Sequence, residues 1–499
     1  MQKNFSDFYT NIGFKKYPFR DKTSEKEDSD KLFIAPINYS LLEDVFENKQ
    51  TAVINGDRGT GKTIMLKDLK SKSLSDKLLC LIDNFEDIPL TNNLTSFYSL
   101  ILQNIVNEML IYLALNKKTL KNLSSDDKIL LSLLIKKYGE TFTEKQLHEK
   151  IEKIQLNWFK RLINKFSPSI TSFFNFGATA ATNFGNELLT KYFGPYLPLI
   201  NEGSIKKIVP DIKFNVENEF KSIEVSYSLL DKSLALAKKV SNAPAIVLID
   251  KLDEDIRLEN DAELISEFIK DLLCDNNLLL NSNIQLIVSV WKIPFKVLTP
   301  NFRRSKHFVY DIDWNPEHLE AVLNQRINHY SDSSLTDYHT LFDSIISQDD
   351  IDIIFELSNS NPRDLWGIFD CIYNEQHKLD SNTTKITSQA LNNGLKSFVK
   401  TFAFYEYYPK KKNARKNTND IYSYIQHLLK LNNDTEFTND ELRIAANTGG
   451  STTNYITGML NIGLISKTEK KRDGGSVIYE IIDPKVKYAI KNKLEITHA

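Results

Sequence analysis

The sequence predicts an α/β protein: a five-stranded parallel sheet with a large helical insertion, a helical lid domain and a C-terminal winged helix. Three observations predict it. Five short, β-branched apolar runs stand out from a helical background, a glycine-rich loop ending in Lys-Thr follows the first of them, and a helix, helix, glycine turn, helix, two-strand order closes the chain. At 499 residues, 41% hydrophobic, the chain exceeds what one core organises and has apolar side chains for two or three.

The runs span residues 51–55, 78–83, 245–250, 284–290 and 308–314. Each is nearly continuous in hydrophobicity, as strands covered on both faces are, and the helical patterns between them imply right-handed crossovers. The second and third runs lie far apart, so a helical insertion is expected over 95–240, with helical spacing at 96–115, 144–163 and 219–240. Its apolar centre, Phe173-Phe174-Asn175-Phe176-Gly177-Ala178, reads as core or as a surface for a partner. The expected domains are 1–94, an N-terminal lead-in and the start of the sheet; 95–240, the insertion; 241–315, the rest of the sheet; 316–408, the helical lid; 409–419, a basic linker; and 420–499, the winged helix.

Composition narrows the function classes. Net charge is −2, although from Lys400 onward 16 Lys and Arg face 11 Asp and Glu. A modest basic surface therefore falls at the C-terminal end. The three cysteines form no CxxC pair, which supports neither a zinc site nor a disulfide framework. The longest uncharged run, 166–186, is interrupted by Pro168, Gly177 and Gly185, a poor spanning helix. A cytoplasmic protein with no membrane partner is the expectation.

Gly56-Asp57-Arg58-Gly59-Thr60-Gly61-Lys62-Thr63 fits G-x-x-x-x-G-K-[ST] between a strand and an expected helix over 63–69. Glycines let the backbone curl so that its amides face inward, at the positive end of the helix that Ile64 continues. Lys62 reaches the β- and γ-phosphates in such a loop and the Thr63 hydroxyl coordinates Mg²⁺. The chain therefore reads as a P-loop NTPase, with ATP and Mg²⁺ as the expected ligands. The run 245–250 ends in Asp250, expected beside Thr63 in the Mg²⁺ shell. Hydrolysis needs a carboxylate to orient water. Lys251 cannot supply one, so Glu254, and after it Asp253, are the candidates; the alternative is that these acids cap the next helix.

The stretch Asp250-Lys251-Leu252-Asp253-Glu254 after an apolar strand resembles the STAND branch of regulatory ATPases and its AAA+ and origin-recognition relatives. It departs from the wider AAA+ pattern, in which Glu follows the strand Asp directly. The resemblance implies that a lead-in of Tyr17-Pro18-Phe19, Leu32-Phe33-Ile34 and Tyr39-Ser40-Leu41-Leu42 packs on adenine, with Phe33 and Tyr39 as contacts. It also implies that Arg363, in Ser358-Asn359-Ser360-Asn361-Pro362-Arg363-Asp364-Leu365, is a second sensor touching the γ-phosphate; the alternative is a surface Arg at a helix start. Arg303-Arg304 resembles an arginine-finger position, or is a solvated basic turn with Lys306. Ser289 is the polar residue nearest a first-sensor position, but Val290-Trp291-Lys292-Ile293 matches no such segment.

The C-terminal unit is expected as helices over 420–431, from 437 and over 451–462, with a capping box of Thr438 and Glu441 and a turn at Thr448-Gly449-Gly450. Strands over 464–467 and 477–482 follow, joined by Lys470-Lys471-Arg472-Asp473-Gly474-Gly475. This order is similar to a winged helix. As a duplex DNA reader it would present Thr452, Thr453, Asn454 and Thr457 to base edges and Lys470, Lys471 and Arg472 to phosphates; as a protein-packing element it would not. The resemblance as a whole implies an ATP-controlled switch that forms a homo-oligomer or acts with an effector protein partner, in bacterial antiphage defence or a related conflict system. The alternative is a DNA-binding ATPase of origin-recognition or transposition-targeting type.

Overall fold

The computed structural model describes residues 4–21, 29–73, 77–138, 197, 222–410, 420–431, 434–472 and 474–497. The insertion's expected helix 144–163, its apolar centre Phe173–Ala178 and most of the basic linker, 411–419, lie outside the described residues.

Five strands form one parallel sheet: β1 (Ala52–Gly56), β2 (Leu79–Ile82), β3 (Ala245–Ile249), β4 (Ile284–Trp291) and β5 (Phe308–Asp311), in the order β2-β3-β4-β1-β5. Alternate residues of the central strands feed opposite cores, which is why their sequences are apolar throughout. Ala52, Ile54, Ile246, Leu248 and Ile287 pack with Leu42, Phe46, Met65 and Leu66 on one face. Val53, Val247, Ile249, Leu286 and Val288 pack on the other against helices Leu94–Leu115, Ile223–Ser241 and Ala262–Leu273. The two helices at the ends of the expected insertion thus share the sheet's own core.

β5 is shorter than the expected run 308–314. Ile312 still donates to the Asn55 carbonyl at 2.8 Å, but β1 ends at Gly56, and beyond that the chain has no ladder partner. Trp314 turns instead toward the loop after β1, where its indole N–H donates to the Thr60 carbonyl at 3.0 Å.

A third core joins the helices Pro316–Tyr330, Gln348–Ser358, Pro362–Leu379 and Ser388–Thr401 to the N-terminal segment and the C-terminal unit. Tyr17 and Phe19 belong here and not beside a nucleotide site. The Tyr17 hydroxyl donates to Asp370 at 2.9 Å and Phe19 stacks on Phe369 at 4.8 Å.

The C-terminal unit has the expected order: Ile421–Leu428, Asn439–Ala446 with the Thr438–Glu441 capping box in place, Thr452–Asn461, then β7 (Ile465–Lys471) and β8 (Val477–Ile481). Two elements were not anticipated, the short strand β6 (Glu436–Thr438), which pairs with β8, and a final helix, Pro484–Lys491. That helix contacts Ser388–Thr401 and buries Lys485 against Asp364 at 2.8 Å, so the unit is fastened to the helices before it. No helix among the described residues is long and apolar enough to cross a membrane.

Candidate phosphate-binding cleft

At the carboxyl ends of β1 and β3 the chain opens a cleft of about 360 Å³, within the range of small-molecule sites. The loop after β1 makes its floor. Gly59 (φ +86°) and Gly61 (φ +98°) both lie in the left-handed region, which only glycine enters at little cost. A Cβ on Gly59 would also fall 2.6 Å from Asn361 Oδ1 and 2.8 Å from Arg363 Cβ. The loop ends in helix Lys62–Lys72, one residue longer at its start and three at its end than the expected 63–69.

A second helix start faces the same cleft. Asn361 caps Pro362–Leu379 by accepting from the Arg363 amide at 3.0 Å, and its side-chain NH₂ donates to the Arg58 carbonyl at 2.7 Å. Pro at the first helical position needs no donor there. Two helix N-termini, each with first-turn amides lacking intrahelical partners, therefore flank one space, an arrangement that favours anions.

Thr63 and Asp250 meet although β4 lies between their strands: Thr63 Oγ1 donates to Asp250 Oδ2 at 2.6 Å. The other carboxylate oxygen of Asp250 accepts from Ser289 Oγ, on β4, and Asp250 is buried. A hydroxyl and a carboxylate fixed together are hard oxygen donors of the kind Mg²⁺ prefers. The Lys62 ammonium donates to the carbonyls of Gly56 and Asp57, each at 3.0 Å. Burial pulls its pKa down, and the charges of Asp253, Asp250 and Asp57 oppose that fall.

The two acids proposed for water activation differ in surroundings. Asp253 is buried and paired with Arg58, whose Nε donates to Asp253 Oδ2 at 2.8 Å. Glu254 lines the cleft with its side chain unbonded among the described residues. Desolvation, then the neighbouring charges of Asp253 and Asp250, push its carboxyl above the ordinary value.

Other expected residues divide. Arg58, Gly59, Gly61, Ile64, Phe33 and Arg363 line the cleft with Lys62, Thr63 and Asp250. Gly56, Asp57 and Thr60 shape the loop from behind: the Thr60 hydroxyl donates to the Asp57 carbonyl at 2.7 Å, and Asp57 is held above the usual carboxylate range by burial. Tyr39 is a correction. It stands behind Phe33, ring centres 5.3 Å apart, and donates to Asp68 at 2.7 Å, because its helix Tyr39–Glu47 buries it against the sheet. Arg303 and Arg304 are exposed and do not line the cleft of their own chain; Arg304 pairs with Asp311 at 3.1 Å.

Ser289, the polar residue nearest a first-sensor position in the sequence, is bonded to Asp250. Trp314, Arg326, Asn361 and Trp366 were not named as candidates and contribute to or line the site, Arg326 buried and lying over the Trp366 ring at 4.5 Å. An Asn before Pro was the visible signal.

In the C-terminal unit, Thr453, Asn454 and Thr457 are exposed as expected. Thr452 is not; it is buried and donates to the Gly449 carbonyl at 2.8 Å, closing the turn. Lys470, Lys471 and Arg472 are exposed, with Lys470 facing Glu436 and Arg472 facing Glu441, each at 3.4 Å.

No family model matches the chain and no curated protein matches it. Among solved structures it matches a Drosophila ORC structure bound to DNA at 8% identity and a TM-score of 0.28, over 94% of this chain and 93% of that one. At that score the likeness carries no weight, and the fold rests on the parallel sheet and its loops.

Proposed function

We propose that this chain binds Mg-ATP in the cleft between β1, β3 and helix Pro362–Leu379, hydrolyses it, and uses the nucleotide as a switch. The observation that carries this is the Thr63–Asp250 contact of 2.6 Å beside Lys62, at the end of a loop that two left-handed glycines bend. Thr63 and Asp250 would hold the metal, which when bound neutralises phosphate charge. Lys62 and the amides of both helix starts bind the phosphates, and Arg363, which lines the same cleft, would fork onto the outermost one. Glu254, with no side-chain hydrogen bond among the described residues and its carboxyl pushed above the ordinary value, orients water and takes its proton. Phe33, Ile34, Val322 and Trp366 offer an apolar wall for the base.

As a switch, the chain changes its assembly or shape with nucleotide, because Arg363 sits on a helix whose next residue, Asp364, is paired with the C-terminal unit. A role in antiphage defence with a separate effector rests on the sequence resemblance alone. Light scattering with and without a slowly hydrolysed ATP analogue tests the switch: a changed mass or radius supports it, and identical values oppose it.

A DNA-binding ATPase is the second reading, favoured by the exposed Thr453, Asn454 and Thr457 beside the Lys470–Arg472 hairpin of a winged-helix-like unit. It requires duplex affinity that falls steeply with salt.

A further inference from the structure

We infer that Arg58 is a positioning residue that fixes the loop carrying Glu254 against the phosphate loop and, through Asn260, ties both to the segment leading into the C-terminal unit. Its effect on turnover rests on the ATP-site reading; its effect on that segment does not.

Motif spacing treats residue 58 as a variable position, but the structure gives it four contacts. Nε donates to Asp253 Oδ2 at 2.8 Å, Nη2 to the Asp253 carbonyl at 3.0 Å and Nη1 to Asn260 Oδ1 at 2.5 Å. The guanidinium also lies over the ring of Trp291, 4.1 Å from its centre. Trp291 ends β4 and is in register with Gly56, so the base of the stack is the sheet itself. The side chains of Arg58 and Asp253 are 18% and 6% exposed, too enclosed for solvent to replace these bonds. A planar fork with donors in fixed directions bridges two acceptors at opposite ends of the 253–260 loop; an ammonium is a point charge and cannot.

Asn260 passes the constraint on. Glu259 (φ +50°) and Asn260 (φ +60°) are successive left-handed residues, a conformation that persists only where contacts over-determine it. The Asn260 side chain accepts from Arg58 and donates to the carbonyls of Tyr405 at 2.7 Å and Tyr408 at 3.3 Å. Its own carbonyl accepts from the Lys410 amide at 2.9 Å. Two tyrosines of this segment extend the path: Tyr407 donates to Asp57 in the phosphate loop at 3.4 Å, and Tyr408 donates to Asp483, the cap of the final helix, at 2.9 Å.

Two consequences follow. Arg58 engages one oxygen of the Asp253 carboxylate, whereas the Glu254 side chain, which lines the same cleft, has no hydrogen bond among the described residues. It also makes the position of Glu254 and the docking of residues 403–410 depend on one side chain, so a shift of the phosphate loop reaches the C-terminal unit through bonded groups.

The test uses the full chain carrying Arg58→Lys, Asn260→Ala, or both, with amide hydrogen exchange over 403–410 and steady-state ATPase kinetics. Without nucleotide, each single variant is expected to speed exchange over 403–410 by about tenfold or more, since a local opening is made easier. The double variant should add nothing beyond the larger single effect, as for two links of one chain. In Arg58→Lys, kcat is expected to fall by about tenfold or more with ATP affinity held within about threefold, as for an interaction that positions and does not bind. Wild-type exchange in both single variants, fully additive effects in the double, or a raised KM at unchanged kcat would each overturn the inference. Should the wild-type chain bind no ATP, the ATP reading fails, while the exchange results still decide the tie between Arg58, Asn260 and the segment.

Discussion

The ammonium of Lys485 lies 2.8 Å from the carboxylate of Asp364, their side chains 0% and 9% exposed, and Asp364 is the residue after Arg363. Lys485 belongs to the last helix of the chain and Arg363 to the wall of the cleft. Burial pushes the Asp364 carboxyl up, and Lys485 pulls it back down. The rings of Phe402 and Tyr407 stand 4.3 and 5.4 Å from the ammonium, enclosing it further.

Lys485→Met removes one partner and strands a buried carboxylate, a change that costs about 3–5 kcal/mol when a pair is fully enclosed. Urea unfolding should show a loss of that order, and Asp364→Leu combined with Lys485→Met should recover most of it. A single variant as stable as wild type would show that the pair holds nothing in place.

Asp250→Asn should leave the fold standing and abolish the dependence of ATP affinity on Mg²⁺. Calorimetry with the metal and with chelator present checks this. Wild-type chain should bind ATP more tightly with Mg²⁺, and the variant equally with and without it. A variant that keeps the full Mg²⁺ gain would remove Asp250 from the metal shell.

Glu254→Gln should lower kcat by about 10²–10⁴, the usual scale of a lost general base, while ATP stays bound. The pH dependence has a defined sign. A carboxyl held above its ordinary 4.5 stays protonated to a higher pH, and only its ionised form accepts a proton. Turnover should therefore fall as pH drops through that raised value, and the acid limb should vanish in Glu254→Gln. A pH profile shared by both proteins would assign the limb elsewhere.

Arg363→Ala should weaken ATP binding by about tenfold and ADP binding by less, as expected for a charge-assisted contact to the last phosphate. Equal losses for both nucleotides would place Arg363 away from the outermost phosphate.

Much of this arrangement was legible in the sequence because it depends on local pattern. The five strands announce themselves because parallel strands covered on both faces must be apolar, and the phosphate loop does because its glycines are needed where φ is positive. Capping by Thr438 and Glu441 was equally local. What the sequence concealed is long-range. Nothing near Tyr39 says that its own helix turns it away from the cleft, and nothing near Trp314 says that β1 ends two residues too early to keep it in the ladder. Arg58, Asn260 and Tyr407 are far apart in sequence and ordinary in type. Their joint role exists only once β1 and β3 bring their loops to the same end of the sheet.

The most direct measurement is titration calorimetry of Mg-ATP into the wild-type chain and Lys62→Ala. The account predicts saturable, one-to-one binding to the wild type, weakened by about a hundredfold or more in the variant, since the ammonium that would face the phosphates is lost. No binding by the wild type, or the same affinity in both, would contradict it.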